Sequence, residues 1–219
     1  MARIAIIGSH GKVAQQLMRL LRERGDDFVG VVRNSEHVDD VHRFGGDGVL
    51  LDIESAEPEQ LAAVIAGCDA VVFAAGAGGG SGVERKRTVD YGGSVKTAAA
   101  AEQAGVRRVI QVSAMGVDEP VAADAAPDWA AYVEAKRDAD TALRDRDLDW
   151  TILRPGALTL EDASGRVALA DRLPRGPIPR AEVAALITAA IDDPRTIGHT
   201  WEATAGDTPI PDAIAALVG

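Results

Sequence analysis

Apolar and polar positions follow one another in blocks along the chain. Arg3–Ile7 is a short apolar run that ends in glycine, and Val13, Leu17, Leu20 and Leu21 then recur at helical spacing as far as Arg24. Gly25 stands where a helix is expected to stop. The same couplet continues with strands predicted at Phe28–Val32, Gly48–Leu51 and Ala70–Phe73, separated by helices at Val38–Phe44 and Pro58–Ala66. An alanine-rich helix, Val89–Ala104, is closed by Gly105. Strand Val109–Ser113, helix Ala130–Arg144, strand Thr151–Arg154, helix Glu182–Ile191, strand Thr200–Ala203 and helix Pro211–Leu217 complete the pattern. Strands that are apolar throughout, alternating with helices, predict a parallel sheet covered on both faces, a doubly wound α/β fold. No linker divides residues 1–219, which read as one domain: an alternating core over 1–156, then closing elements over 157–219.

Composition narrows the function classes. The 219 residues are 47% hydrophobic and 26% charged, enough for a substantial core. A net charge of −11 argues against nucleic acid as a partner, because phosphate neutralisation needs a surplus of Lys and Arg. No apolar run approaches the ~18 residues of a membrane span. The single Cys68 forms no internal disulfide, and Met1–Gly8 lacks a signal-peptide core, so a cytoplasmic protein with a small-molecule partner is expected. Monomer and homodimer are both open at this point.

The first strand–helix junction carries the candidate chemistry. Gly8, Ser9, His10, Gly11, Lys12, Val13 and Ala14 give the spacing G-x-x-G-x-x-A. The first glycine permits a tight turn, the second lets backbone approach a pyrophosphate, and the small Ala14 lets helix pack on strand. Backbone N–H groups at the helix start then face the anion. A Walker loop is excluded, since it needs glycine at Ile6 and a hydroxyl at Val13. The second strand ends in Arg33, Asn34 and Ser35, where an NAD site would carry an acid for the ribose hydroxyls. A guanidinium there suits the 2′-phosphate of NADP, so NADP(H) is expected over NAD(H). His37 and His42, five apart with no third ligand, make no metal site, and no metal is expected.

With these residues the chain resembles the atypical short-chain dehydrogenase/reductases, within the NAD(P)H-binding group of NmrA-like and flavin/biliverdin-reductase-B-like proteins. The likeness is carried by the glycine loop, Arg33, Leu51-Asp52, Ala74-Ala75-Gly76, Val89–Gly93, Val112-Ser113, Tyr132-Val133-Glu134-Ala135-Lys136, Arg154-Pro155-Gly156 and Pro179–Ala184. It implies a Rossmann-type fold in which Asp52 and Ile53 meet the adenine and Ala74, Ala75 and Gly76 line the adenosine side. It also implies that Val112, Pro155, Gly156 and Ala157 lie near the nicotinamide. Tyr132 and Lys136, four apart on one helical face, are then the proton donor and the lysine that assists it and holds ribose. Ser113 is the candidate third hydroxyl, although Ala114 and Met115 stand where relatives often place it. Asp90 stands near an Asn of the relatives' proton relay, or caps the Val89 helix.

The expected function is therefore an NADPH-dependent reductase delivering hydride to a small apolar carbonyl, quinone or flavin. Leu158, Leu160, Val167, Leu169 and Leu173 are expected to furnish that apolar site. One alternative is a catalytically silent NADP(H) sensor of NmrA-like type. A nucleotide-sugar epimerase or dehydratase is the other, with little chain after Gly156 to build a sugar-nucleotide subdomain.

Overall fold

A nine-stranded sheet runs through the computed structural model, which describes residues 1–219. Its first half comprises β1 (Arg3–Ile7), α1 (Lys12–Arg24), β2 (Asp27–Val32), α2 (Val38–Arg43), β3 (Asp47–Leu50), α3 (Pro58–Ile65) and β4 (Ala70–Phe73). Next come α4 (Val83–Arg85), a π-helical stretch (Lys86–Gly93), α5 (Ser94–Ala104), β5 (Arg108–Val112), α6 (Pro127–Arg144) and β6 (Asp149–Pro155). The chain closes with β7 (Ala157–Thr159), β8 (Arg166–Ala170), β9 (Pro177–Pro179), α7 (Arg180–Asp192), β10 (His199–Ala205), β11 (Thr208–Pro209) and α8 (Ile210–Val218).

Seven strands, in the order β3-β2-β1-β4-β5-β6-β10, are parallel. The central strands β1, β2 and β4 are largely apolar because successive side chains serve two cores. Ile4 and Ile6 join Leu17, Met18 and Leu21 of α1 and Val183, Leu186 and Ile187 of α7 on one face. Ala5 and Ile7 join Leu61 and Ile65 of α3 and Ala98 and Ala101 of α5 on the other. The chain moves outward from β1 through β2 and β3, then returns across β1 to β4. That reversal opens a crevice beyond the carboxyl ends of β1 and β4, where such sheets bind ligands.

Three features differ from the sequence expectation. The sheet is not wholly parallel: β8 runs antiparallel to β10, and β11 antiparallel to β8. β7 and β9 form a separate two-stranded ribbon. These strands of two to five residues are too short to show a period against their charged and glycine-rich surroundings. The helix expected from Val89 begins at Val83 and passes through the wider π turns of Lys86–Gly93. The helix expected from Ala130 begins at Pro127, whose fixed φ suits a first helical turn. No helix is long and apolar enough to cross a membrane.

Candidate active site

Gly8 shapes the head of the crevice. Its φ is +88°, and a Cβ there would stand 2.6 Å from the Cα of Ala75, so only glycine fits. The N–H groups of Gly8 and Ser9 both donate to the Val31 carbonyl, at 3.2 and 3.1 Å, fastening the loop to β2. Gly11 N–H donates to the Gly8 carbonyl at 2.9 Å. Helix α1 starts directly after, with no acidic side chain in its first turn, so its unpaired N–H groups face the crevice without a competing carboxylate.

The crevice has a narrow and a wide half that share Ala74, Ala75 and Gly76. The narrow half, about 300 Å³, is lined by Gly8, His10, Gly11, Arg33, Asp52 and Ile53 among the residues singled out by sequence. His10 stacks on His37 at 3.4 Å and meets the Asp40 carboxylate at 3.0 Å. Arg33 is half exposed and lies 3.7 Å from Glu54, a wall residue that sequence reasoning missed. Glu54 accepts from Arg85 and from the Thr88 hydroxyl, each at 2.6 Å. Those bonds, Arg85 foremost, hold its carboxyl below the usual range. Three expected contacts are not brought together here. The Ser9 side chain is fully buried, its hydroxyl donating to the Ile6 carbonyl at 2.7 Å, because it closes the turn from beneath. Lys12 and Asn34 point to solvent and line neither half.

The wide half, about 1090 Å³, gathers Val13, Val112, Ser113, Tyr132, Lys136, Pro155, Gly156 and Ala157. Gly156 is required by close approach, since a Cβ there would stand 2.1 Å from the Gly176 carbonyl oxygen. Tyr132 and Lys136 share the inward face of α6. The Lys136 ammonium is buried, donating to the Val112 carbonyl at 3.1 Å and lying 3.4 Å from Asp90 Oδ1. Asp90 caps nothing: it sits inside the π stretch, where its Oδ2 accepts from the Ala77 N–H at 3.1 Å. Burial pushes the Tyr132 phenol above its ordinary value; Lys136 pulls it back, while Asp90 and Asp140 add to the rise. The pull of Lys136 is present but outweighed.

Ser113 does not offer its proton to the cavity. Its hydroxyl donates to Asp140 Oδ2 at 2.9 Å, beside Arg154 Nε at 2.8 Å, while Gln111 donates to Oδ1 at 2.7 Å. Arg154 in turn grips Asp118 with both terminal nitrogens, at 2.6 and 3.1 Å. This buried network fixes the end of β5 and the loop after it. Asp140 was legible in principle, lying four residues after Lys136 on the same helical face. Glu202, buried on β10, ties the loop after β5 to Leu173, accepting from Gly116 N–H and Leu173 N–H, each at 2.9 Å. Lys86 also lines the cavity and is almost fully buried, although it sits in the run Glu84-Arg85-Lys86-Arg87, which reads as a solvated face. Of the five apolar residues expected here, only Leu158 lines the cavity. Val167 is in the core, Leu169 packs against it, and Leu160 is exposed.

Comparison with known proteins came to a consistent result. A family model for NAD(P)H-binding proteins matches residues 8–194. A Bacillus subtilis protein named YhfK, an uncharacterized sugar epimerase, is 36% identical over 98% of this chain and 100% of its own length. A Bacillus halodurans structure described as an NAD-dependent epimerase/dehydratase is 35% identical, with a TM-score of 0.90, over 99% of this chain and all of that one. The oxidoreductase ylbE of Lactococcus lactis is 31% identical, with a TM-score of 0.87, over 99% of this chain and 96% of that one.

Proposed function

The chain belongs to the NAD(P)H-binding family, and we propose that it is an NADPH-dependent reductase of a small acceptor, of the atypical short-chain dehydrogenase/reductase type. The observation that carries the reading is one continuous crevice with a glycine-only phosphate turn at its head and Tyr132 beside buried Lys136 in its wide half. The residues fit a dinucleotide: the turn admits no Cβ at Gly8, and the start of α1 offers unpaired N–H groups. Arg33, half exposed at the end of β2, supports NADP over NAD. The nicotinamide, when bound, supplies or accepts the hydride.

The chain's own residues do the rest. Tyr132 keeps its proton at neutral pH, because burial and two nearby carboxylates disfavour the phenolate. A protonated phenol is the form that donates to an oxygen gaining charge as a carbonyl is reduced. Lys136, held by Val112 and Asp90 on the same helical face as Tyr132, provides donors for a ribose. Ser113, its proton committed to Asp140, acts as an acceptor that positions neighbouring hydroxyls. The lone buried thiol of Cys68 fits a reducing cytoplasm.

The name of the Bacillus subtilis relative favours a second reading, epimerisation of a sugar, in which Tyr132 must first remove a proton. The raised phenol opposes that first step. The test is NADPH oxidation against carbonyls, quinones and flavins, with wild type beside Tyr132→Phe. Net NADPH consumption that falls about 10²–10⁴-fold in the variant, with NADPH affinity retained, is expected. Failure to bind NADPH, or turnover indifferent to Tyr132, overturns the reading; sugar isomerisation without net NADPH consumption establishes the other.

A further inference from the structure

The wide half of the crevice carries a charge opposite to that of the protein. Four cations, Lys86, Lys136, Arg175 and Arg180, line it against two carboxylates, Asp90 and Asp128, in a chain whose net charge is −11. Lys136 and Asp90 account for each other at 3.4 Å. Lys86, Arg175 and Arg180 remain, against Asp128 in the lining and Glu119 just outside it beside Arg175.

Lys86 is the unusual member. Its side chain is 4% exposed, yet its ammonium has one hydrogen bond, to the Gly78 carbonyl, and a carboxylate, Asp128, only at 3.9 Å. An ammonium has three donors, and burying one under-partnered is costly. Lys86 and Asp90 share the buried face of the π stretch Lys86–Gly93, and Lys86 lies 5.5 Å from the centre of the Tyr132 ring. Irregular helical turns of this kind are common at functional sites. Arg180 spends its guanidinium on two backbone carbonyls, Leu158 and Thr159, and has no carboxylate partner. Arg175 stands exposed at the rim, paired with Glu119 at 2.6 Å.

We propose that Lys86 is a substrate-recognition residue, and that the acceptor reduced at Tyr132 carries an oxyanion, a carboxylate or a phosphate, close to its reacting group. Lys86 holds that oxyanion directly, Arg180 supplies attractive field from elsewhere in the lining, and Arg175 at the rim does so in competition with its pair to Glu119. The apolar acceptor suggested by the leucine-rich sequence after Gly156 is thereby replaced by an anionic one. The inference rests on the reading of the wide half as the substrate end of the crevice.

The test is calorimetric titration of NADPH-saturated protein with inorganic phosphate and with oxalate, at constant ionic strength made up with chloride. Saturation with NADPH covers the phosphate turn at Gly8, leaving the wide half to report. At least one anion is expected to bind with a millimolar or tighter Kd, weakened at least tenfold in Lys86→Met while the NADPH Kd changes less than twofold. Preference for phosphate or for oxalate distinguishes a phosphorylated from a carboxylated substrate. Arg175→Gln, altering an exposed side chain, carries the same test if Lys86→Met is poorly folded, and is expected to weaken the anion about threefold. Absence of anion binding to wild type, or binding indifferent to both substitutions, overturns the proposal. The same titrations on cofactor-free protein separate the two questions: failure to bind NADPH overturns the cofactor reading, whereas anion binding that depends on Lys86 stands or falls alone.

Discussion

Replacing Arg33 by alanine tests the cofactor choice most directly. The guanidinium ends β2 at the narrow half of the crevice, half exposed, and its nearest charge is Glu54 at 3.7 Å, beyond hydrogen-bond reach. It is therefore free to bind a phosphate. A hydrogen bond to a charged group contributes about 1.5–3 kcal/mol when well formed. Half exposure and screening at physiological salt bring Arg33 just below that range, to about 1.4 kcal/mol, which is about tenfold in Kd. NADH lacks the 2′-phosphate, so the loss should fall on NADPH alone. Titrating the fluorescence of each reduced cofactor with wild type and Arg33→Ala should show the NADPH Kd rising about tenfold while the NADH Kd moves less than twofold. The gap between the cofactors should also narrow as salt is raised. Glu54→Gln makes the opposite change: losing the carboxylate beside Arg33 should tighten NADPH by about twofold. An equal loss for both cofactors in Arg33→Ala would show that the side chain serves only as a wall, and NADP preference would have no support at this position.

Three further outcomes follow from the geometry. Gly8→Ala combines a φ of +88° with a 2.6 Å approach to the Ala75 backbone. It should abolish NADPH binding and cost about 2 kcal/mol or more of stability, read as a fall in Tm. Asp140→Asn leaves Arg154 with only its outer partner Asp118 and should lower stability by about 3 kcal/mol in urea titration, with NADPH affinity unchanged; a loss under about 1 kcal/mol would show that the network carries little. Tyr132 donates only while protonated, and its folded value lies above the ordinary one, so deprotonation can reduce turnover only as pH rises beyond the ordinary tyrosine range. NADPH-dependent reduction should therefore show no decline attributable to Tyr132 from pH 7 to about 9, near the ordinary tyrosine value of about 10. A loss near pH 8 that vanishes in Tyr132→Phe would contradict the direction of the shift.

What could be read from the sequence divides along physical lines. The alternating core was legible because each strand serves two buried faces and each helix one, and both patterns repeat over several residues, as in Ile4–Ile7 against Leu17 and Leu21. The tight turn between β1 and α1 was legible because one geometry, left-handed at Gly8, admits one residue type. The strands at Ala157–Thr159 and Pro177–Pro179 were not, since three residues carry no period. Nor could sequence separate Ser9, which closes the turn from beneath, from His10, which faces the crevice, because adjacent loop positions follow no fixed alternation. The same limit explains Lys86 and Ser113. Lys86 lies in a charge run, and its burial follows from the face it shares with Val89, Asp90 and Gly93, which the fold turns inward. Ser113 stands where a carbonyl-polarising hydroxyl is expected, yet its proton goes to Asp140, from a helix that follows it by more than a dozen residues. A motif thus fixes which residue types meet, whereas the direction of each proton depends on partners elsewhere in the fold. Tyr132 is the member of the motif whose proton remains uncommitted, with no hydrogen-bond partner among the protein's own groups, and this leaves it available to an acceptor in the wide half of the crevice.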